Sequence, residues 1–146
     1  MTTHPAPQSV DACRYLGRLI AAAVTGREKE DLLGEGFWRW GDLHPEIAEI
    51  ASGSFRRRQP PTINGSGYCV RTLEAALWGL SGTTSFREGA LRVVNLGDDA
   101  DTTGAVYGQL AGAIYGYEAI PREWRTKVSR HDLICEFADR LHKMTL

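Results

Sequence analysis

The sequence predicts an all-α protein, a compact multi-helix bundle. Apolar residues recur at spacings of three and four along most of the chain, which is the period of one helix face. No alternating run is bounded by hairpin-turn residues, and no segment repeats at a fixed period. The polar stretch Met1 to Gln8, with Pro5 and Pro7, reads as an irregular lead-in. A first helix is expected from a candidate cap at Ser9, through Val10, Cys13, Leu16, Leu19 and Ile20, to Val24, with Gly26 as its stop. Short helices follow at Glu28 to Leu33 and at His44 to Ala51, the second opened by Pro45. Gly53 to Ser66, with Pro60 and Pro61, reads as a loop. Three longer helices are expected at Tyr68 to Leu80, at Ser85 to Asn95 with Ser85 as cap, and at Thr102 to Tyr117. Pro121 then opens Arg122 to Arg130, and a last helix runs from about His131 to Met144.

Length and composition fit one compact domain over residues 1–146. A chain of this size buries roughly 70% of the surface its unfolded form exposes. The hydrophobic fraction of 42% and charged fraction of 24% are those of a globular protein. A net charge of −1 gives no electrostatic case for nucleic acid or an anionic membrane. No signal segment or membrane-spanning apolar run is present. Cys13, Cys69 and Cys135 are odd in number and widely spaced. That argues against a disulfide framework or a zinc knuckle and points to a reducing, cytoplasmic setting.

Gly104, Gly108, Gly112 and Gly116 are spaced by four and share one helix face. Each interior glycine costs about 1 kcal/mol relative to alanine. The row is expected to admit another backbone at close range and to seat the start of this helix deep in the domain. A membrane-helix pair would use such a row too, but Asp99, Asp101 and Glu118 bracket a stretch too short to span.

The turn before that row, Asn95-Leu96-Gly97-Asp98-Asp99-Ala100-Asp101-Thr102-Thr103-Gly104, is the most informative part of the chain. Three carboxylates and two hydroxyls crowd together there. Like charges this close repel, and burying them unpaired is costly. Two readings stay open from the pattern alone. A divalent cation would relieve the repulsion, and oxygen donors select Mg²⁺, Mn²⁺ or Ca²⁺ rather than Zn²⁺. Helix capping also favours Asp and Thr at a helix start. An EF-hand is rejected, because Leu110 occupies the position that must be a bidentate Glu.

At these residues the chain resembles the ADP-ribosylglycohydrolase family, which includes the enzyme that reactivates dinitrogenase reductase. The resemblance is carried by NLGDDADTTGA at Asn95 to Ala105, YGQLAGAIYG at Tyr107 to Gly116 and IPREW at Ile120 to Trp124. THP at Thr3 to Pro5, LHPEI at Leu43 to Ile47 and the GSGYCV segment from Gly65, with LEAALW to Trp78, extend it over essentially the whole chain. It implies an all-helical fold with a centre of two divalent metal ions, Mg²⁺ or Mn²⁺. That centre cleaves the glycosidic bond between ADP-ribose and a protein side chain. The family's downstream Asp-x-Asp-Thr metal motif falls on Asp99, Asp101 and Thr102. Asp98 would be a supporting or capping residue. Tyr68 matches a ligand-contacting tyrosine, Gly67 beside it would allow close backbone approach, and His4 matches a histidine near the ligand pocket.

Family members are about twice as long, and their amino-terminal half supplies a Thr-Asp-Asp-Thr-like motif and an acidic residue upstream of it. Neither is found here, so the catalytic acid is unassigned. The chain is expected to be the carboxy-terminal portion of the fold, as a split-gene product, a truncated gene or a pseudoenzyme. Its partners would be ADP-ribose or an ADP-ribosylated protein, and either an amino-terminal half or a second copy of itself. The rival reading is a noncatalytic ADP-ribose- or metal-binding helical module. Elsewhere, Arg56, Arg57 and Arg58 read as a solvated loop, Trp78 as core, and Glu74 as a surface residue with no transferable role.

Overall fold

The computed structural model describes residues 4–144. Among them there are nine α-helices and no strand, as the 3.6-residue period requires. In order they are α1 (Pro7–Val24), α2 (Lys29–Leu32), α3 (Pro45–Ala51), α4 (Ser54–Arg57), α5 (Cys69–Ser81), α6 (Phe86–Val94), α7 (Ala100–Tyr115), α8 (Arg122–Arg125) and α9 (His131–Lys143). A single 3₁₀ turn, Tyr117–Ala119, follows α7.

Several boundaries differ from expectation for identifiable reasons. Pro7 opens α1 in the first turn, where its missing N–H costs nothing. The cap position is therefore Ala6, without a side-chain bond, and Ser9 lies inside the helix. The expected loop after Gly53 contains α4, because Gly53 turns at φ 83 and the chain re-enters helix for one turn. The segment after Pro121 stops at Arg125, and Arg130 then turns at φ 56 to start α9. Ser85 caps α6 as expected, its hydroxyl accepting from the Glu88 amide at 3.2 Å.

The centre of the core is α5, not α7. Val70 and the nine residues from Thr72 to Leu80 are buried, between α1, α4, α6 and α7. In α7 only Thr103, Tyr107, Leu110 and Ala111 are buried. Tyr107 ties α7 to α6 by donating to the Phe86 carbonyl at 3.0 Å. Trp78 is core, with its indole donating to Gln59 at 3.3 Å and the Arg92 guanidinium stacked 3.8 Å from its ring centre.

The glycine row does not serve as expected. A Cβ on Gly104 would meet only Val94, at 3.1 Å, while Gly108 and Gly112 have no described heavy atom within 4 Å of theirs. That face of α7 is bare. So is α9: none of its residues is buried, and Leu133, Ile134, Phe137 and Leu141 are 40–64% exposed along one side.

Glu74 is also not on the surface. It is 1% exposed on α5, accepting from the Ser54 hydroxyl, from Arg58 at 2.7 Å and from Arg71 at 3.3 Å. Arg58 also pairs with Glu49, so this member of the arginine run is committed to the fold. A buried carboxylate is tolerated only with such partners.

Candidate functional site

The acidic turn is folded against the loop that precedes α5. Gly97 at φ 76 and Asp98 at φ 53 bend the chain leftward in succession, conformations that glycine adopts freely and aspartate tolerates. The bend brings the Asp99 amide to the Gly65 carbonyl at 2.6 Å. Gly65 is required by this approach, because a Cβ there would stand 2.8 Å from the Gly97 oxygen and 3.3 Å from Thr103 Oγ1. Thr103 Oγ1 in turn donates to the Asp99 carbonyl at 2.9 Å. Asp98 lies outside the cap itself, one residue ahead of it.

Asp99 occupies the N-cap of α7, but its carboxylate does not cap. Its Oδ1 accepts from Thr102 Oγ1 at 2.8 Å, and its Oδ2 faces Gly67, where a Cβ would be 3.1 Å away. Asp101 accepts from the Thr102 amide at 2.9 Å. A hydrogen bond with Asp99, then the amides of Thr102 and of Asp101 itself, hold the Asp101 carboxyl below its ordinary range. Thus Asp99, Asp101 and Thr102 lie together, with Gly67 beside Asp99. The start of the helix is not deep in the domain: Asp101 and Thr102 are exposed and Asp99 is half-buried.

Tyr68 follows Gly67, is 39% exposed and donates its hydroxyl to Glu46 Oε2 at 2.7 Å. That bond pushes the phenol above its ordinary range. Glu46 lies in the first turn of α3, within the LHPEI segment, so it links two of the matched motifs. Sequence reading missed this link, although both motifs were legible. His4 lies on the exposed segment leading into α1. Ser9 Oγ sits 3.4 Å from Cys69 Sγ, so that segment enters beside the start of α5.

Both carboxylates and the hydroxyl are hard oxygen donors with open access, and the side chain that could have been consumed as a cap is left over. They fit one edge of the shell of Mg²⁺ or Mn²⁺. Among the described residues no group of three or more His, Cys, Asp or Glu side chains could hold an ion alone. In donor count these side chains are fewer than a divalent ion takes.

The family model for ADP-ribosylglycohydrolase matches residues 1–146. The chain belongs to the ADP-ribosylglycohydrolase family. It is 35% identical to an ADP-ribosylarginine hydrolase of Serratia proteamaculans, over 99% of this chain and 38% of that protein. Against an ADP-ribosyl-[dinitrogen reductase] glycohydrolase of Rhodospirillum rubrum it is 34% identical, over 86% of this chain and 40% of that protein. A solved structure described as an ADP-ribosylglycohydrolase-related protein complex superposes with a TM-score of 0.90 at 40% identity, covering 99% of this chain and 50% of that one. This glycohydrolase-family chain thus spans well under two thirds of the length of the relatives it matches. No helix among the described residues is long and apolar enough to cross a membrane.

Proposed function

We propose that this chain carries one part of a metal-dependent active site that hydrolyses the glycosidic bond joining ADP-ribose to a protein side chain. The observation that carries the reading is the Asp99 carboxylate, placed at a helix N-cap yet not bonded to the helix amides. It is directed instead at Thr102 and at the opening beside Gly67. A capping aspartate would accept from the second or third amide of its helix.

Asp99, Asp101 and Thr102 would hold divalent metal, and the bound metal would polarise the ribose hydroxyls and lower the pKa of a coordinated water. The chain's own residues do the rest. Thr102 orients the Asp99 carboxylate by donating to one oxygen, leaving the other oxygen outward. Gly67 lets a ligand approach the backbone, and Tyr68, anchored through Glu46, presents its ring at the same edge. His4 would contribute from the exposed segment leading into α1.

Two hard ions take about six oxygen ligands each, far more than these three side chains supply. The remaining ligands and the catalytic acid come from residues outside this set, in an amino-terminal half of the fold. The bare face at Gly108 and Gly112 and the apolar side of α9 are surfaces suited to cover by that half. A single helix with no buried residue is not stable on its own at this length. The free thiols of Cys13, Cys69 and Cys135 suit a reducing cytoplasm.

Calorimetric titration with Mn²⁺ tests the ligand assignment, using the chain paired with an amino-terminal half and the Asp101→Ala variant of it. Wild type should bind at least about tenfold more tightly. Equal binding by both would reduce the acidic turn to a structural turn and leave the noncatalytic-module reading in its place.

A further inference from the structure

At the far end of α7 from the acidic turn, the 3₁₀ turn, α8 and the first turn of α9 enclose an open cavity of about 560 Å³. Since α7 has 16 residues, it separates the two places by roughly 24 Å. Arg122, Arg125, Arg130, His131 and Tyr117 line the cavity, and Asp132 is the carboxylate among its described lining residues.

Two of the three arginines are not neutralised by the described residues, the third being paired with Glu118. The side chains of Arg122 and Arg130 make no ion pair or hydrogen bond with the described residues. Arg125 is fixed in place: one guanidinium nitrogen donates to Glu118 at 3.0 Å and the group stacks 4.4 Å from the Tyr117 ring centre. Its Nε is shielded from solvent and has no acceptor. A buried donor left without a partner is costly. Tyr117 also holds the His131 ring, hydroxyl to Nε2 at 2.6 Å, so the wall is rigid on that side.

The start of α9 adds a further positive charge at the cavity's edge. Its N-cap is Arg130, at φ 56, with no side-chain cap. A helix N-terminus carries partial positive charge and favours an anion. Here Asp132 stands in the first turn and the Arg130 guanidinium at the N-cap, in a conformation disfavoured for side chains with a Cβ. An anion in the cavity would neutralise Arg122 and Arg130 and lie against the Arg125 guanidinium, which the fold already holds in place.

We infer that this cavity is a second ligand site, taking the phosphate or pyrophosphate group of a small molecule. Planar guanidinium forks match phosphate oxygens in geometry and charge, and the volume suits a nucleotide-sized molecule. The inference does not depend on the acidic turn and stands or falls separately from the proposed activity.

The test is calorimetric titration of the full chain with inorganic pyrophosphate, and with ADP, in the presence of EDTA so that no metal bridges the ligand to Asp99. Amide resonances from 122 to 132 are followed in parallel. The expected result is saturable binding with shifts confined to that segment. Arg122→Ala/Arg130→Ala should weaken it about tenfold or more. Because neither side chain has a partner in the fold, the variant should keep the wild-type circular dichroism and the wild-type resonances of α5. Absence of saturable binding, binding unchanged in the double variant, or equal binding of sulfate as an adventitious ion only, would each overturn the assignment.

Discussion

Replacing Gly65 by alanine should damage the chain more than the loss of a flexible residue would suggest. The new Cβ would stand 2.8 Å from the Gly97 carbonyl oxygen, 3.3 Å from Thr103 Oγ1 and 3.6 Å from Leu96 Cβ. The first of these is backbone, in a turn fixed by two successive left-handed residues, so it cannot swing aside as a side-chain end would. Relief requires the 65–67 loop to lift from the acidic turn, stretching the bond between the Asp99 amide and the Gly65 carbonyl. Forced overpacking of this kind costs about 1–3 kcal/mol, against a total stability of roughly 5–15 kcal/mol for a domain. The midpoint of unfolding should fall by about 3–10 °C, measured by differential scanning calorimetry. Gly36→Ala is the control, since its Cβ would meet nothing within 4 Å and its φ is not positive. A Gly65→Ala protein that melts with wild type would refute the close approach of loop and turn, and with it the geometry of the site.

Gly108→Ala/Gly112→Ala should stabilise the isolated chain, by up to about 1 kcal/mol per position, because both Cβ atoms would enter open space. The same pair should weaken association with an amino-terminal half. Chemical denaturation and a binding titration check the two effects, and destabilisation of the isolated chain would show that α7 is packed there after all. Stability should also fall at high pH. Burial pushes the Tyr15 phenol up to about 12 from its ordinary 10.0 and raises that of Tyr107 as well. A raised folded-state value means that the unfolded chain loses its protons first. The contribution is whole below pH 10 and is lost between pH 10 and about 12, amounting to about 2–3 kcal/mol for Tyr15. Denaturant titrations across that window, with phenolate absorbance followed in parallel, should show both changes together. A flat stability profile would contradict it.

The helices were legible because their apolar period is long and their punctuation is explicit: Pro45 and Pro121 open helices, and Ser85 caps one. The convergence of Asp99, Asp101 and Thr102 was legible because it is local in sequence. The depth of each helix was not. Helix α5 carries Thr72 and Glu74 among its buried residues, so its pattern resembles a one-faced helix, whereas its neighbours surround it. Glu74 is buried because Ser54, Arg58 and Arg71 reach it, and no local spacing announces three partners from separate places. The converse error fell on α7, where four glycines suggested tight packing. Three of them face open space, not a buried interface within the described residues. The bond from Tyr68 to Glu46 joins positions 22 apart in sequence, a distance at which single-sequence periodicity says nothing.

The most direct test of the central claim is turnover of an ADP-ribosylated protein with Mn²⁺, run with this chain alone, with an added amino-terminal half from a relative, and with that half plus the Asp99→Ala chain. The split site, short of ligands among the described residues, should give no turnover alone, turnover in the pair, and loss of at least about a hundredfold on removal of Asp99. Robust turnover by the chain alone, or a pair that is indifferent to Asp99→Ala, would contradict it.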